Sequence, residues 1–148
     1  MSKLNELRKL YEKIELDSTD ERLLLSTVKN GHASQDEIDE LIDIVQENSN
    51  GGKILDEIKN FENDLVTDIL DLLNELEEME NEDNEVAHIE DEAEKNIRYK
   101  DMKKRYKNHV AKAEEIIDAM KIAYFQIDDF TQYEDRLYNI KETLAHFE

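Results

Sequence analysis

After Gly52 no glycine and no proline interrupts the remaining 96 residues. Those two residues are the usual punctuation of strands and tight turns, so a stretch lacking both is committed to helix. Apolar residues recur through it at helical steps. Ile54, Ile58, Phe61, Leu65, Ile69, Leu72, Leu76 and Met79 step by 4, 3, 4, 4, 3, 4 and 3, which predicts one long amphipathic helix with a stutter. Tyr106, Val110, Ala113, Ile117, Met120, Tyr124 and Ile127 alternate steps of 4 and 3, the seam of a coiled coil. Tyr133, Leu137, Ile140, Leu144 and Phe147 form a last apolar face, and Thr131-Gln132-Tyr133-Glu134 has the form of a capping box that would start that helix afresh. A single helix over residues 53–127 would be about 110 Å long. A hairpin is therefore expected, with its reversal at Asn81-Glu82-Asp83-Asn84-Glu85.

The first third carries clearer punctuation. Leu4, Leu7, Leu10, Tyr11 and Ile14 predict a helix over residues 3–16. Ser18-Thr19-Asp20-Glu21 and Ser34-Gln35-Asp36-Glu37 are two capping boxes, each opening a helix. Asn30-Gly31 closes the first of these, and Asn48-Ser49-Asn50-Gly51-Gly52 is the strongest break in the chain. The expected architecture is all-α, with five or six helices and a long acidic helical hairpin in the C-terminal two-thirds. Residues 1–50 would be a three-helix segment and 53–148 the hairpin plus a C-terminal helix, within one compact domain.

Charged residues make up 39% of the chain, apolar residues 39%, and the net charge is -20. Such a balance drifts towards disorder, but disordered acidic tracts do not hold apolar residues in helical register. There is no cysteine, so disulfides, thiolate metal sites and thiol catalysis are excluded. No apolar run is long enough for a membrane span, and Met1-Ser2-Lys3-Leu4 lacks a signal peptide's apolar stretch, so a cytoplasmic location is expected. The sign of the charge argues against direct binding of nucleic acid or of an anionic membrane.

The charge is unevenly placed. Residues 61–95 hold fifteen acids and one base, whereas residues 96–125 hold eight bases and four acids. The densest acid is Glu75, Glu77, Glu78, Glu80, Glu82, Asp83, Glu85, Glu90, Asp91, Glu92 and Glu94, eleven carboxylates in twenty residues without a base. One reading is a hairpin zipper in which Arg98, Lys103, Lys104 and Arg105 return alongside Asp64, Asp68 and Asp71. That leaves the acidic tip almost without counter-charge. The other reading makes those eleven residues a partner-binding surface. Carboxylates three and four residues apart on a helix lie about 5–6 Å from one another, close to the spacing of phosphates along a strand. In size and charge the chain resembles proteins that imitate DNA, including phage inhibitors of restriction and CRISPR effectors, and acidic immunity proteins that cap nuclease toxins. The likeness is one of physical type, and no motif or residue role is carried over with it.

Motifs for chemistry are sparse. Glu85-Val86-Ala87-His88 is a Glu-x-x-His, but a di-iron bundle needs two such motifs and two further glutamates. No calcium loop, phosphate loop, nucleophile elbow or His-Glu-x-x-His is present. An enzyme is not expected, nor is a cofactor or metal. The second and third helices could be read as a helix-turn-helix. Its recognition helix would carry Asp36, Glu37, Asp39, Glu40, Asp43 and Glu47, a face that repels phosphate. The basic run from Arg98 to Lys107 reads as inner counter-charge for the hairpin. Tyr106 and Tyr124 belong to the seam, while Tyr99 and Tyr138 lie off it as candidate interface anchors. The expected function is non-enzymatic binding, and inhibition, of a basic nucleic-acid-handling protein. The alternative is an oligomeric scaffold or adaptor protein whose seam, from Tyr106 to Ile127, pairs with a second copy.

Overall fold

The computed structural model describes residues 3–47, 51–123 and 130–148. Six α-helices account for most of them: α1 (Lys3–Glu12), α2 (Thr19–Lys29), α3 (Gln35–Glu47), α4 (Gly51–Ala87), α5 (Glu92–Met120) and α6 (Thr131–Thr143), followed by a 3₁₀ turn at Ala145–Phe147. No strand occurs among the described residues. The all-α fold and the long helix pair follow from the apolar periodicity and the missing glycine and proline.

Local capping agrees with the residues at each boundary. The Ser18 hydroxyl accepts the Glu21 amide at 3.1 Å and starts α2. At α3 the exchange is reciprocal: Ser34 Oγ accepts the Glu37 amide at 3.3 Å, while Glu37 Oε1 accepts the Ser34 amide at 3.2 Å. Helix α2 closes in a Schellman motif, with the His32 amide on the Thr27 carbonyl and the Gly31 amide on the Val28 carbonyl, each at 3.0 Å. Gly31 sits at φ 78°, where a side chain would be strained.

Three boundaries differ from the sequence expectation. Helix α1 stops at Glu12 rather than near residue 16, because the Lys13 and Ile14 amides turn back three residues to Leu10 and Tyr11; Ile14 and Leu16 are still buried. The reversal lies at residues 88–91, not at Asn81–Glu85, which is helical. Val86 explains the extension: it stands seven residues beyond Met79 and is fully buried, so α4 continues until that contact is made. Helix α5 ends at Met120, short of the expected seam end. The Ile122 carbonyl accepts the Tyr11 hydroxyl at 3.1 Å, and the Ile122 and Ala123 amides close tight turns on Ala119 and Met120. Tyr124 and Ile127 lie outside the described residues, as do Asn48, Ser49 and Asn50; Gly51 and Gly52, expected in the break, open α4 instead.

The chain divides into two units, residues 1–66 with 118–130 and residues 67–117 with 131–148. In the first, Leu7, Tyr11, Val28, Ile38, Leu41, Val45, Leu55, Ile58 and Leu65 form the core with Ala119, Met120 and Ile122. Glu62 is fully buried there, the one buried charged residue among those described. In the second, Ile69, Leu73, Leu76, Met79 and Val86 of α4 meet Met102, Tyr106, Val110, Ala113, Ile116 and Ile117 of α5, and Tyr133, Leu137 and Ile140 of α6 close the core. Leu144 and Phe147 are buried with them, and the Phe147 ring lies 6.0 Å from those of Tyr99 and Tyr106.

Ile58, Leu65, Ile69, Leu76 and Met79 of the expected seam are buried, but at three points the stripe shifts by one position, using Leu55, Glu62 and Leu73 where Ile54, Phe61 and Leu72 were expected; those three are half-buried. A stripe covered from two sides is wider than a coiled-coil seam, and Glu62 masks the true register in the sequence. The difference is measurable. Leu73→Ala should destabilise the protein by about 2–5 kcal/mol, and Leu72→Ala by about 1 kcal/mol, in urea denaturation.

Candidate functional site

The eleven acidic residues from Glu75 to Glu94 occupy the last three turns of α4, the turn, and the first turn of α5. Helical spacing sorts them by what they face. Glu82 points at α5 and holds two guanidinium groups, Arg105 at 2.8 Å and Arg98 at 3.3 Å. Arg105 also reaches Asp101 at 2.9 Å. The hydrogen bond from Arg105 is the main cause that holds the Glu82 carboxyl below its ordinary range, against an opposing push from partial burial. One heptad earlier, Glu75 meets His109 Nε2 at 3.0 Å. On the side of α4 that faces α6, Glu77 binds Arg136, which also donates to the Asn74 side-chain oxygen. Asp83 meets His146 Nε2 at 3.1 Å.

These pairs correct the expected zipper. With the turn at 88–91, each residue of α5 falls opposite a later residue of α4. Arg98 and Arg105 therefore find Glu82 rather than Asp64, Asp68 or Asp71. Lys103 and Lys104 make no ion pair among the described residues, so the basic run is not uniformly an inner counter-charge. The tip also has more internal hydrogen-bond donors than its own stretch of sequence suggests. Arg136 and His146 lie about fifty residues or more away along the chain, in and beyond α6. No local pattern could have assigned them to it.

The remaining acids face water or cap helices. Asp91 is the last residue of the turn, and its Oδ1 accepts the Ala93 amide at 3.0 Å and the Glu94 amide at 3.4 Å. Asp91-Glu92-Ala93-Glu94 was thus the overlooked start signal for α5. His88 donates from Nδ1 to the Asn84 carbonyl at 2.7 Å, satisfying an end carbonyl of α4. Glu78, Glu85, Glu90, Glu92 and Glu94 are exposed and Glu80 is half-buried, and none of these has an ion pair among the described residues. Glu92 and Glu94 gain from the positive N-terminal end of α5. Glu85 stands at the negative C-terminal end of α4, where the last turn holds no base, so the helix itself disfavours it.

Of the tyrosines offered as anchors, Tyr99 is half-buried against Phe147, whereas Tyr138 is 62% exposed with its hydroxyl hydrogen-bonded to Glu142. The Tyr106 hydroxyl donates to Glu148 Oε1 at 3.1 Å, and burial, with that carboxylate, raises its pKa to about 12. Helix α3 exposes Asp36, Asp39, Glu40, Asp43 and Glu47. No group of three metal-ligating side chains comes together among the described residues, and no described helix is long and apolar enough to cross a membrane. A comparison with protein families, curated proteins and solved structures finds no match.

The Glu82 cluster makes a prediction with a definite sign. A carboxyl whose pKa is depressed on folding contributes its stability above the unfolded pKa and loses it as pH falls through the folded one. Glu82→Gln should therefore lower stability by about 0.5–1 kcal/mol at neutral pH, the arginines being exposed enough for solvent to screen the pair. The gap between variant and wild type should close below about pH 4. Urea midpoints measured against pH would check it.

Proposed function

We propose that this chain is a non-enzymatic acidic binding protein whose hairpin tip engages, and inhibits, a basic nucleic-acid-handling protein. The reading is of the DNA-mimic type, as in anti-restriction and anti-CRISPR inhibitors or nuclease immunity proteins. One observation carries it. After Arg98, Arg105, Arg136, His109 and His146 have taken Glu75, Glu77, Glu82 and Asp83, the turn still presents Glu85, Glu90, Glu92 and Glu94 exposed and without an ion pair among the described residues. Four exposed lysines on α5 (Lys100, Lys103, Lys104 and Lys107) leave that charge unneutralised. Helix ends explain Glu92 and Glu94 but not Glu85.

A basic groove shaped for phosphates would meet these carboxylates with charge-assisted hydrogen bonds, and the surplus field would steer the encounter. The partner class is a protein with a positively charged nucleic-acid channel. The apolar seam that an assembly protein would offer to a partner is already covered within this chain, from Tyr106 to Met120.

The test removes only the acids without an internal partner. Glu85→Gln, Glu90→Gln, Glu92→Gln and Glu94→Gln together should leave the circular dichroism spectrum unchanged. Capture of basic nucleic-acid enzymes from nuclease-treated lysate at about 0.1 M salt should fall at least tenfold. Wild-type capture should weaken at about 0.5 M salt. Equal capture by the wild type and the quadruple variant would end the proposal.

A further inference from the structure

We propose that the lysine face of α5 docks against the acidic outer face of α4 in a second copy of this chain. Lys100, Lys103, Lys104 and Lys107 stand at i, i+3, i+4 and i+7, which on a helix is one face. All four are exposed, and none has an ion pair among the described residues. They are four of the 19 bases in a chain with 39 acids. The hairpin does not need them, because Arg98, Arg105 and His109 hold it from another side of the helix. Ile97 extends the same face by one turn and is 70% exposed. It is one of three large apolar side chains left exposed among the described residues.

The chain carries a matching partner face. Asp71 and Glu78 on α4 are exposed, have no ion pair among the described residues, and are seven residues apart. Lys100 and Lys107 are also seven residues apart. Both spans are two helix turns, about 10 Å. Two helices packed side by side keep such a heptad spacing in register, so both lysines can meet both carboxylates at once. The α4 stripe continues in heptad steps beyond both ends of the lysines, through the exposed Asp64 and Glu85, so the acidic face is long enough to cover the lysine face fully. Charge of opposite sign at matching spacing, carried by the chain itself, commits the lysine face to a second copy. Net repulsion between two chains of charge -20 does not forbid the contact. At about 0.15 M salt the screening length is about 8 Å, so the facing groups set the sign of the interaction.

The proposal is independent of the tip's partner. Sedimentation of the full chain tests it. Wild type should show a mass that rises with concentration at about 0.05 M salt and returns to that of the monomer at about 0.5 M. Lys100→Glu with Lys107→Glu should weaken association at least tenfold at the lower salt, and Asp71→Lys with Glu78→Lys should do the same. An equimolar mixture of the two double variants should associate again, because each reversed face then meets its reversed complement. That recovery also shows that both variants are folded. The quadruple tip variant should associate like the wild type. A wild type that stays monomeric throughout overturns the proposal, as does a mixture that fails to recover. Binding of a short duplex DNA or of anionic phospholipid vesicles by the monomer, lost in the lysine variant, would overturn it in favour of a phosphate ligand.

Discussion

Glu82 sets the register of the hairpin. Its carboxylate takes guanidinium groups from Arg98 and Arg105, which are one heptad apart on α5, so sliding either helix by a turn would break at least one bond. Apolar packing alone fixes register weakly here, because leucine, isoleucine and methionine recur every three or four residues and can be exchanged at modest cost. A forked pair at one point adds the direction that packing lacks. The turn at 88–91, the burial of Val86 and the position of Asp91 as a cap are all consistent with that single alignment.

The distribution of charge follows from geometry more than from amount. Carboxylates on the sides of α4 that face α5 and α6 are met by arginine or histidine, whereas those on its outer side and around the turn are not. Lysines on α5 that could have neutralised some of this charge point elsewhere. The second unit thus presents surfaces of opposite sign, although the chain as a whole is strongly acidic. Long-range repulsion is screened within about one nanometre, so each surface acts on what directly faces it.

The helical fold was legible in the sequence because it is written in local signals. Ser18, Gly31 and Ser34 announced three helix ends by capping chemistry that depends on a few neighbouring residues. The turn was misplaced because Asn81–Glu85 looks polar and loop-like, while the buried Val86 that extends α4 is a tertiary contact. Asp91 could have been found, since Asp followed three residues later by Glu is a start signal. The acids of the tip were visible at once, but their partners were not. Arg136 and His146 come to α4 only through the packing of α6 and the 3₁₀ turn, and no periodicity in residues 75–94 encodes that. Glu62 shows the converse case, a charged residue on the buried stripe that hides the register of its apolar neighbours.

The hydrogen bond from Tyr11 to the Ile122 carbonyl joins residues 111 positions apart, and neither unit is continuous along the chain. During synthesis, at about 5–20 residues per second, α1 would emerge roughly 6–20 s before its partner. Helices α1 to α3 must wait with part of their apolar surface uncovered until residues 118–130 have emerged. Native contacts of such long range also slow folding, because loop closure precedes the contacts that reward it. Neither unit can be excised as a contiguous fragment, and a nascent chain stalled before residue 118 would be a natural client for chaperones.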